Sequence, residues 1–198
     1  MSRGHTPTIA VVNQKGGVGK TFIADELAFW CERHGVAYAF IDLDGQGSGL
    51  HGTSDEGGDD AAEVAIVDTP GAITDQLRVA LTEADAVVVP VRPSVDDVGP
   101  TERTLGIVEE VAPDVVGVLA VNGRTRFLET REFEPEVERW AARGWNVFRL
   151  PQSVLVPRAR RRGESVVAFA PRSKAAEAVE ELCGAVVGEV TGHGADEA

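Results

Sequence analysis

Lysine is nearly absent from this chain. Among its 19 Lys and Arg residues only Lys15, Lys20 and Lys174 are lysines, against 32 Asp and Glu, which leaves a formal charge of −13 over 198 residues. That excess of acid disfavours a broadly basic nucleic-acid-binding surface. Cysteine is scarce too: Cys31 and Cys183 have neither metal-site spacing nor the density of a disulfide framework, and they read as buried thiols in a reducing compartment. No apolar run is long enough to span a bilayer, no internal repeat recurs and no apolar leader precedes the first strand-like run. The expectation is one domain with a sizeable core in the cytoplasm.

Two of the three lysines sit five residues apart in Asn13-Gln14-Lys15-Gly16-Gly17-Val18-Gly19-Lys20-Thr21. Glycines let backbone N–H groups converge on phosphate oxygens, Lys20 can place a compact ammonium on the β- and γ-phosphates, and the Thr21 hydroxyl can ligate Mg²⁺. Before this run, Thr8 to Val12 reads as a buried strand. After it, Phe22, Ile23, Leu27, Ala28 and Cys31 recur at helical spacing up to Gly35. Strand, loop and helix thus fall in the order that aims a helix N-terminus at an anion.

An ordinary phosphate loop needs only the second lysine. With Lys15 in place, the run Lys15 to Thr21 resembles the deviant Walker-A loop of the ParA/MinD family of P-loop ATPases, and the chain looks closest to short, ParF-like plasmid-partition ParA proteins. The resemblance implies ATP or ADP and Mg²⁺ bound through Gly16, Gly17, Val18, Gly19, Lys20, Thr21 and Phe22, in an ATP-dependent homodimer. Lys15 would reach across that dimer and, like an arginine finger, neutralise charge on the partner's nucleotide. Lys15, Lys20 and Asp44 are the catalytic candidates.

The later motifs follow the same family order. Ala37 to Asp44 reads as an apolar strand with carboxylates at its carboxyl end, where open α/β sheets bind ligands. On the resemblance, Asp44 orients the attacking water and Asp42 supports the Mg²⁺ shell. Val64 to Gly71 is a buried strand ending in Asp68, which would hold Mg²⁺ through water, so Thr21, Asp42 and Asp68 form the metal set. An aspartate at a strand end is otherwise a turn former. Asn122 matches a position the family uses beside adenine, although asparagine before glycine is also a turn signal; Pro151 joins it as a nucleotide contact.

The remaining pattern is scaffold. Thr74 to Glu83, Val95 to Val111, a segment from Pro135 to Arg143, and one from Ser173 through Val187 read as helices. Ala86 to Val91, Val115 to Val121 and Trp145 to Phe148 read as strands. Strict alternation implies an α/β class: a single-domain P-loop NTPase fold with a mostly parallel sheet and helices on both faces, over 1–190. The Gly-, Ser- and Asp-rich stretch 45–63 has no apolar period and is expected to be a mobile loop, and 191–198 a disordered tail. Gly45, where relatives carry proline, and this shortened stretch put dimerisation in question.

Against the acidic background, Arg158-Ala159-Arg160-Arg161-Arg162 is the only dense basic run. In relatives, basic residues in this region bind DNA without sequence preference once ATP has made the dimer. Arg158, Arg160, Arg161, Arg162, Arg172 and Lys174 are therefore the DNA candidates, and internal pairing with glutamates is the competing reading. Acidity with so little lysine fits either a halophilic cytoplasm of molar salt or a genomic bias toward arginine codons. The resemblance implies slow, Mg-dependent ATP hydrolysis stimulated by a centromere-binding, ParB-like partner, and segregation of a plasmid or chromosome by a nucleoid-associated dimer. A nucleotide-gated monomeric binding protein with little hydrolysis is the alternative. A membrane role is disfavoured because Thr191 to Ala198 lacks a basic amphipathic helix. Two scattered cysteines likewise argue against the cluster-bearing iron-protein relatives of this fold.

Overall fold

A computed structural model describes residues 5–44, 49–53, 62–71, 75–124 and 128–192. Strands β1 (Thr8–Val11), β2 (Tyr38–Asp42), β3 (Val64–Asp68), β4 (Ala86–Val91), β5 (Val116–Arg124) and β6 (Asn146–Pro151) form one sheet in the order β2-β3-β1-β4-β5-β6. Every pairing is parallel. Parallel neighbours need crossovers; helices α1 (Lys20–His34), α2 (Asp75–Thr82), α3 (Val95–Val111) and α4 (Leu128–Ala141) occupy the β1–β2, β3–β4, β4–β5 and β5–β6 connections, and α5 (Leu155–Arg160), α6 (Val166–Phe169) and α7 (Lys174–Thr191) follow β6.

Alternation along each strand sorts its side chains into two cores. Ile9 and Val11 of β1, with Ala86 and Val88 of β4, join the layer built on α1 and α7. Ala10 and Val12, with Val87, Val89 and Val91, join the layer under α2, α3 and α4. Both faces are covered, which is why β4 is a continuous apolar run buried at all six positions. From β1 the chain leaves toward β2 on one side, whereas β3 leads across to β4 on the other. The carboxyl end of β1 is thus a topological switch point, where open α/β sheets hold ligands.

Several expected boundaries shift. Pro135 does not open a helix: α4 begins at Leu128 and carries Pro135 in its interior. Phe133, Val137 and Trp140 bury one stripe while Pro135 points to solvent, so water can satisfy the carbonyl that loses its helical donor. β2 stops at Asp42 rather than Asp44, because the Asp42 carboxylate accepts the Asp44 N–H at 2.9 Å and turns the chain. Asn122 lies inside β5, which runs on to Arg124 through an irregularity at Gly123, where φ is 86°. α5 and α6 had no counterpart in the sequence pattern, being too short to show a period. The last helix extends past Val187 to Thr191, with Ser173 as its N-cap. Among the described residues no helix is long and apolar enough to cross a membrane.

Cys31 and Cys183 are both buried thiols in the α1/α7 layer. Burial pushes Cys31 up to about 12 and Cys183 also well above the ordinary thiol range, so neither is a reactive thiolate.

Candidate nucleotide site

Residues 12–19 carry the chain from β1 into α1, and each end of the turn is pinned. Asn13, buried, donates its side-chain amide to the Pro90 carbonyl at 2.7 Å and accepts the Lys15 N–H at 2.9 Å. The Gln14 N–H donates to the Thr104 hydroxyl of α3 at 3.2 Å. At the other end the Asn122 amide donates to the Val18 carbonyl at 2.8 Å. Gly17 and Gly19 have φ of 73° and 106°, and a Cβ on Gly19 would stand 2.2 Å from Asn122 Nδ2. Glycine is required there both by the backbone and by the close approach of β5.

Lys20, the first residue of α1, is 7% exposed and folds back so that its ammonium lies 3.5 Å from the Lys15 carbonyl. Burial pulls its pKa down, against the raising pull of Asp68 and Asp44. Asp68 ends β3 in register with Asp42 of β2 and is 2% exposed. Burial raises its pKa to about 6, opposed by a hydrogen bond from Thr21, with Asp42 adding to the rise. Its Oδ1 is buried without a hydrogen-bond partner among the described residues. Thr69, not foreseen, bonds the Val11 carbonyl at 2.8 Å and locks the end of β3 to the end of β1.

This donor set fits Mg²⁺. A buried, unsatisfied carboxylate oxygen beside a threonine hydroxyl offers the hard oxygen ligands the ion prefers. Among the described residues no group of three or more His, Cys, Asp or Glu could hold a metal alone. Mg²⁺ does not need one where phosphates and water complete its octahedron.

A cleft of about 440 Å³ opens over the turn, lined by Gly16, Gly17, Gly19, Lys20, Thr21, Phe22, Asp44, Gly71 and Arg160. Seven of the sequence-designated residues, Gly16, Gly17, Gly19, Lys20, Thr21, Phe22 and Asp44, thus line one cleft, Asp42 and Asp68 end the paired strands β2 and β3, and the other candidates lie differently. Val18 is fully buried beneath the turn and Asn122 supports it from β5. Pro151 ends β6 in register with Arg124 of β5, on the outermost strand, and does not line the cleft. Lys15 turns away from the cleft: its ammonium lies 4.0 Å from Asp97, which is fully buried and held by Arg92 through bonds of 2.9 and 3.0 Å.

The arginine run divides. Arg158, Arg161 and Arg162 are exposed, as are Arg172 and Lys174, and among the described residues none of the five makes an ion pair. Arg162 lies over the Phe169 ring at 5.4 Å. Arg160 differs, because its guanidinium reaches the cleft and donates to Asp25 at 2.7 Å. Asp25 of α1 is 1% exposed and was missed entirely, since an acid on an amphipathic-looking helix reads as solvated. Its other oxygen accepts the Leu50 and His51 N–H groups at 2.9 and 3.0 Å and the His51 ring at 3.0 Å.

The expected loop 45–63 is therefore anchored at 49–53, while 45–48 and 54–61 lie outside the described residues. The expected tail lies outside them from 193 onward.

Comparison with known proteins agrees with this geometry. The sequence profile of the CobQ/CobB/MinD/ParA nucleotide binding domain matches residues 9–166. The chromosome-partitioning ATPase Soj of Thermus thermophilus is 25% identical, over 96% of this chain and 99% of its own. The fold is shared with the MinD cell division protein of Aquifex aeolicus at a TM-score of 0.74, with 17% identity over 92% of this chain and 97% of that one. An ATP complex of a McdA variant from Cyanothece superposes at 0.74, with 15% identity over 93% of this chain and 97% of its own. From loop, strand-end acids and sheet order alike, the chain belongs to the CobQ/CobB/MinD/ParA nucleotide-binding family.

Proposed function

We propose that this chain is a Mg²⁺-dependent ATPase switch of the ParA kind, which dimerises on ATP and segregates a plasmid or chromosome. The observation that carries the reading is the cleft over the glycine turn, lined by Lys20, Thr21 and Asp44, with the unsatisfied carboxylate of Asp68 buried at the neighbouring strand end. Backbone N–H groups of residues 16–21 and the Lys20 ammonium would bind the phosphate chain, with the dipole of α1 adding to their field. Thr21, with Asp68 acting through water and Asp42 supporting the shell, would hold Mg²⁺, which would supply charge neutralisation on the phosphates. Asp44, which lines the cleft, would orient a water for attack. Lys15, exposed enough to leave Asp97, would act on the nucleotide of a second copy.

Soj, a chromosome-partitioning ATPase, supports the partition role by its match along 96% of this chain. Slow hydrolysis stimulated by a ParB-like partner would release the dimer. Arg158, Arg161, Arg162, Arg172 and Lys174 are exposed cations suited to phosphate contacts without base readout, which would carry the ATP-bound dimer to the nucleoid.

The test is mass in solution by light scattering for the Asp44→Ala variant with Mg-ATP, Mg-ADP and no nucleotide. A dimer with ATP alone is expected. A monomer in every state would favour a nucleotide-gated monomeric binder, a reading for which the Lys15–Asp97 pair within one chain speaks.

A further inference from the structure

We propose that the ring of Phe22 is the wall against which the nucleoside end of the nucleotide packs, so that the cleft holds a nucleotide by apolar contact as well as by its phosphates. The inference rests on the reading of that cleft as the ATP site.

Among the described residues nine line the cleft, and Phe22 is the aromatic one. The other eight are four glycines, Thr21 and the charged residues Lys20, Asp44 and Arg160. Such a lining suits phosphate and metal. The base and sugar of a nucleotide carry apolar surface that gains from leaving water, and ligand sites place apolar side chains against it. Phe22 supplies the one large apolar surface among these nine. A turn residue can serve phosphate through its backbone N–H; the ring does something different.

Sheet order gives the cleft two ends. β1 delivers the glycine turn to the middle; β3 and β2, closed by Asp68 and Asp42, lie on one side, and β4 and β5, with Asn122, on the other. Lys20 reaches toward the acid side, since a Cβ built on Gly71, beyond the end of β3, would stand 3.7 Å from its Nζ. Phe22 belongs to the opposite side: a Cβ built on Gly19 would meet its Cδ1 at 3.9 Å and Asn122 Nδ2 at 2.2 Å. With the terminal phosphates at Lys20, Thr21 and Asp44, the rest of the nucleotide runs toward β5. Strands about 4.8 Å apart put β5 roughly 14 Å from β3, a span that an extended nucleotide can cross.

The ring is in place before a ligand arrives. Phe22 is 9% exposed and belongs to the core layer of α1 and α7, so most of it is packed and a small part faces the cleft. Beside it, Asn122 is fixed by its bond to the Val18 carbonyl. A side chain already packed loses little freedom on binding. Because the ring has no hydrogen-bond donor or acceptor, it favours a nucleoside over bare phosphate without choosing between bases.

The experiment compares Mg-ADP, Mg-GDP and inorganic Mg-tripolyphosphate as ligands of the full chain, by calorimetry and competition. Phe22→Leu keeps an apolar side chain for the core and removes the aromatic face. ADP and GDP should weaken by about fivefold or more, the low end for base–aromatic stacking, while tripolyphosphate stays within about twofold. Equal loss of all three would mean that the ring only holds the turn, and the proposal fails. ADP affinity within about twofold of wild type overturns it as well. A loss confined to one base would place the effect in hydrogen bonds to that base and overturns it too. Should Phe22→Leu melt early, Phe22→Met, checked by thermal melting, must show the same selective loss. A wild type that binds neither nucleotide nor tripolyphosphate would sink the ATP reading itself. Binding abolished by Lys20→Ala but unchanged in Phe22→Leu sinks this inference alone.

Discussion

The Lys15 ammonium rests 4.0 Å from Oδ1 of Asp97, a carboxylate with no solvent exposure that Arg92 already grips with two hydrogen bonds. Two cations therefore share one buried anion beside the glycine turn, and the lysine expected to act on a second copy is parked on its own chain. Lys15 does not line the cleft, so Lys15→Ala should leave ADP affinity within about threefold while ATP turnover falls by about tenfold or more. Normal turnover in that variant, measured by phosphate release, removes the role in trans. Asp97→Asn releases Lys15 and should tighten ATP-driven dimerisation, read by light scattering; weaker dimerisation would argue that the pair supports the loop instead.

Gly19 and Asn122 are bound by sterics. A Cβ at Gly19 meets Asn122 Nδ2 at 2.2 Å on a backbone with φ of 106°. Gly19→Ala should cost about 1–3 kcal/mol from backbone strain, with the clash added, and abolish nucleotide binding. Adding Asn122→Ala relieves the clash alone, so urea denaturation should show partial recovery of stability. Full recovery would mean that the backbone conformation carries no strain.

Asp68 sets a pH dependence. Its folded pKa of about 6 lies above the ordinary aspartate value of 3.8, so between these values the folded state holds more protons than the unfolded one. Stability from this group is therefore present at low pH and is lost as pH rises toward 6. Asp68→Asn should raise the melting temperature of the nucleotide-free protein at pH 7.5, with the advantage shrinking as pH falls below 6. Nucleotide affinity in Mg²⁺ should run the opposite way in wild type, weakening below pH 6 as the ligand oxygen is protonated. An unchanged melting difference between pH 5 and 7.5 would rule out this titration.

Asp25 and His51 form a second titrating pair. Burial pulls the His51 pKa down, but hydrogen bonding and charge from Asp25 and Glu32 outweigh it, leaving it raised. Its contribution is complete below the unfolded value near 6.5 and is lost as pH rises through the folded one. Asp25→Ala should cost about 3–5 kcal/mol, because it removes the buried carboxylate on which both the Arg160 guanidinium and the His51 ring converge. Urea denaturation at pH 6 and pH 8.5 checks both statements: the penalty should be larger at pH 6, and equal penalties would show that His51 is not charged in the fold.

Much of the site was legible because its chemistry is contiguous. The apolar run of β1, the glycines, Lys20, Thr21 and the helix that follows are neighbours in the chain, and their roles follow from short-range geometry. Strand-end acids at Asp42 and Asp68 could be named because apolar runs bounded them, although nothing local showed that β3 would lie between β2 and β1. Pro135 misled because a proline reads as a helix start, whereas the Phe133, Val137 and Trp140 stripe outweighs the lost bond. Arg160 read as one surface charge among several; its burial partner is 135 residues away.

The amino-acid sequence by itself determined the α/β class, the phosphate turn and the order of its acids, since residue type and short spacing dictate strands, turns and helix starts. Only the tertiary structure decided which side chains leave the surface. Asn122 reaches Val18 across 104 residues and Arg160 reaches Asp25 across 135, and a charge or amide becomes part of the site when packing brings it a partner in low dielectric. Such partners are chosen by the fold as a whole, and no local pattern carries them.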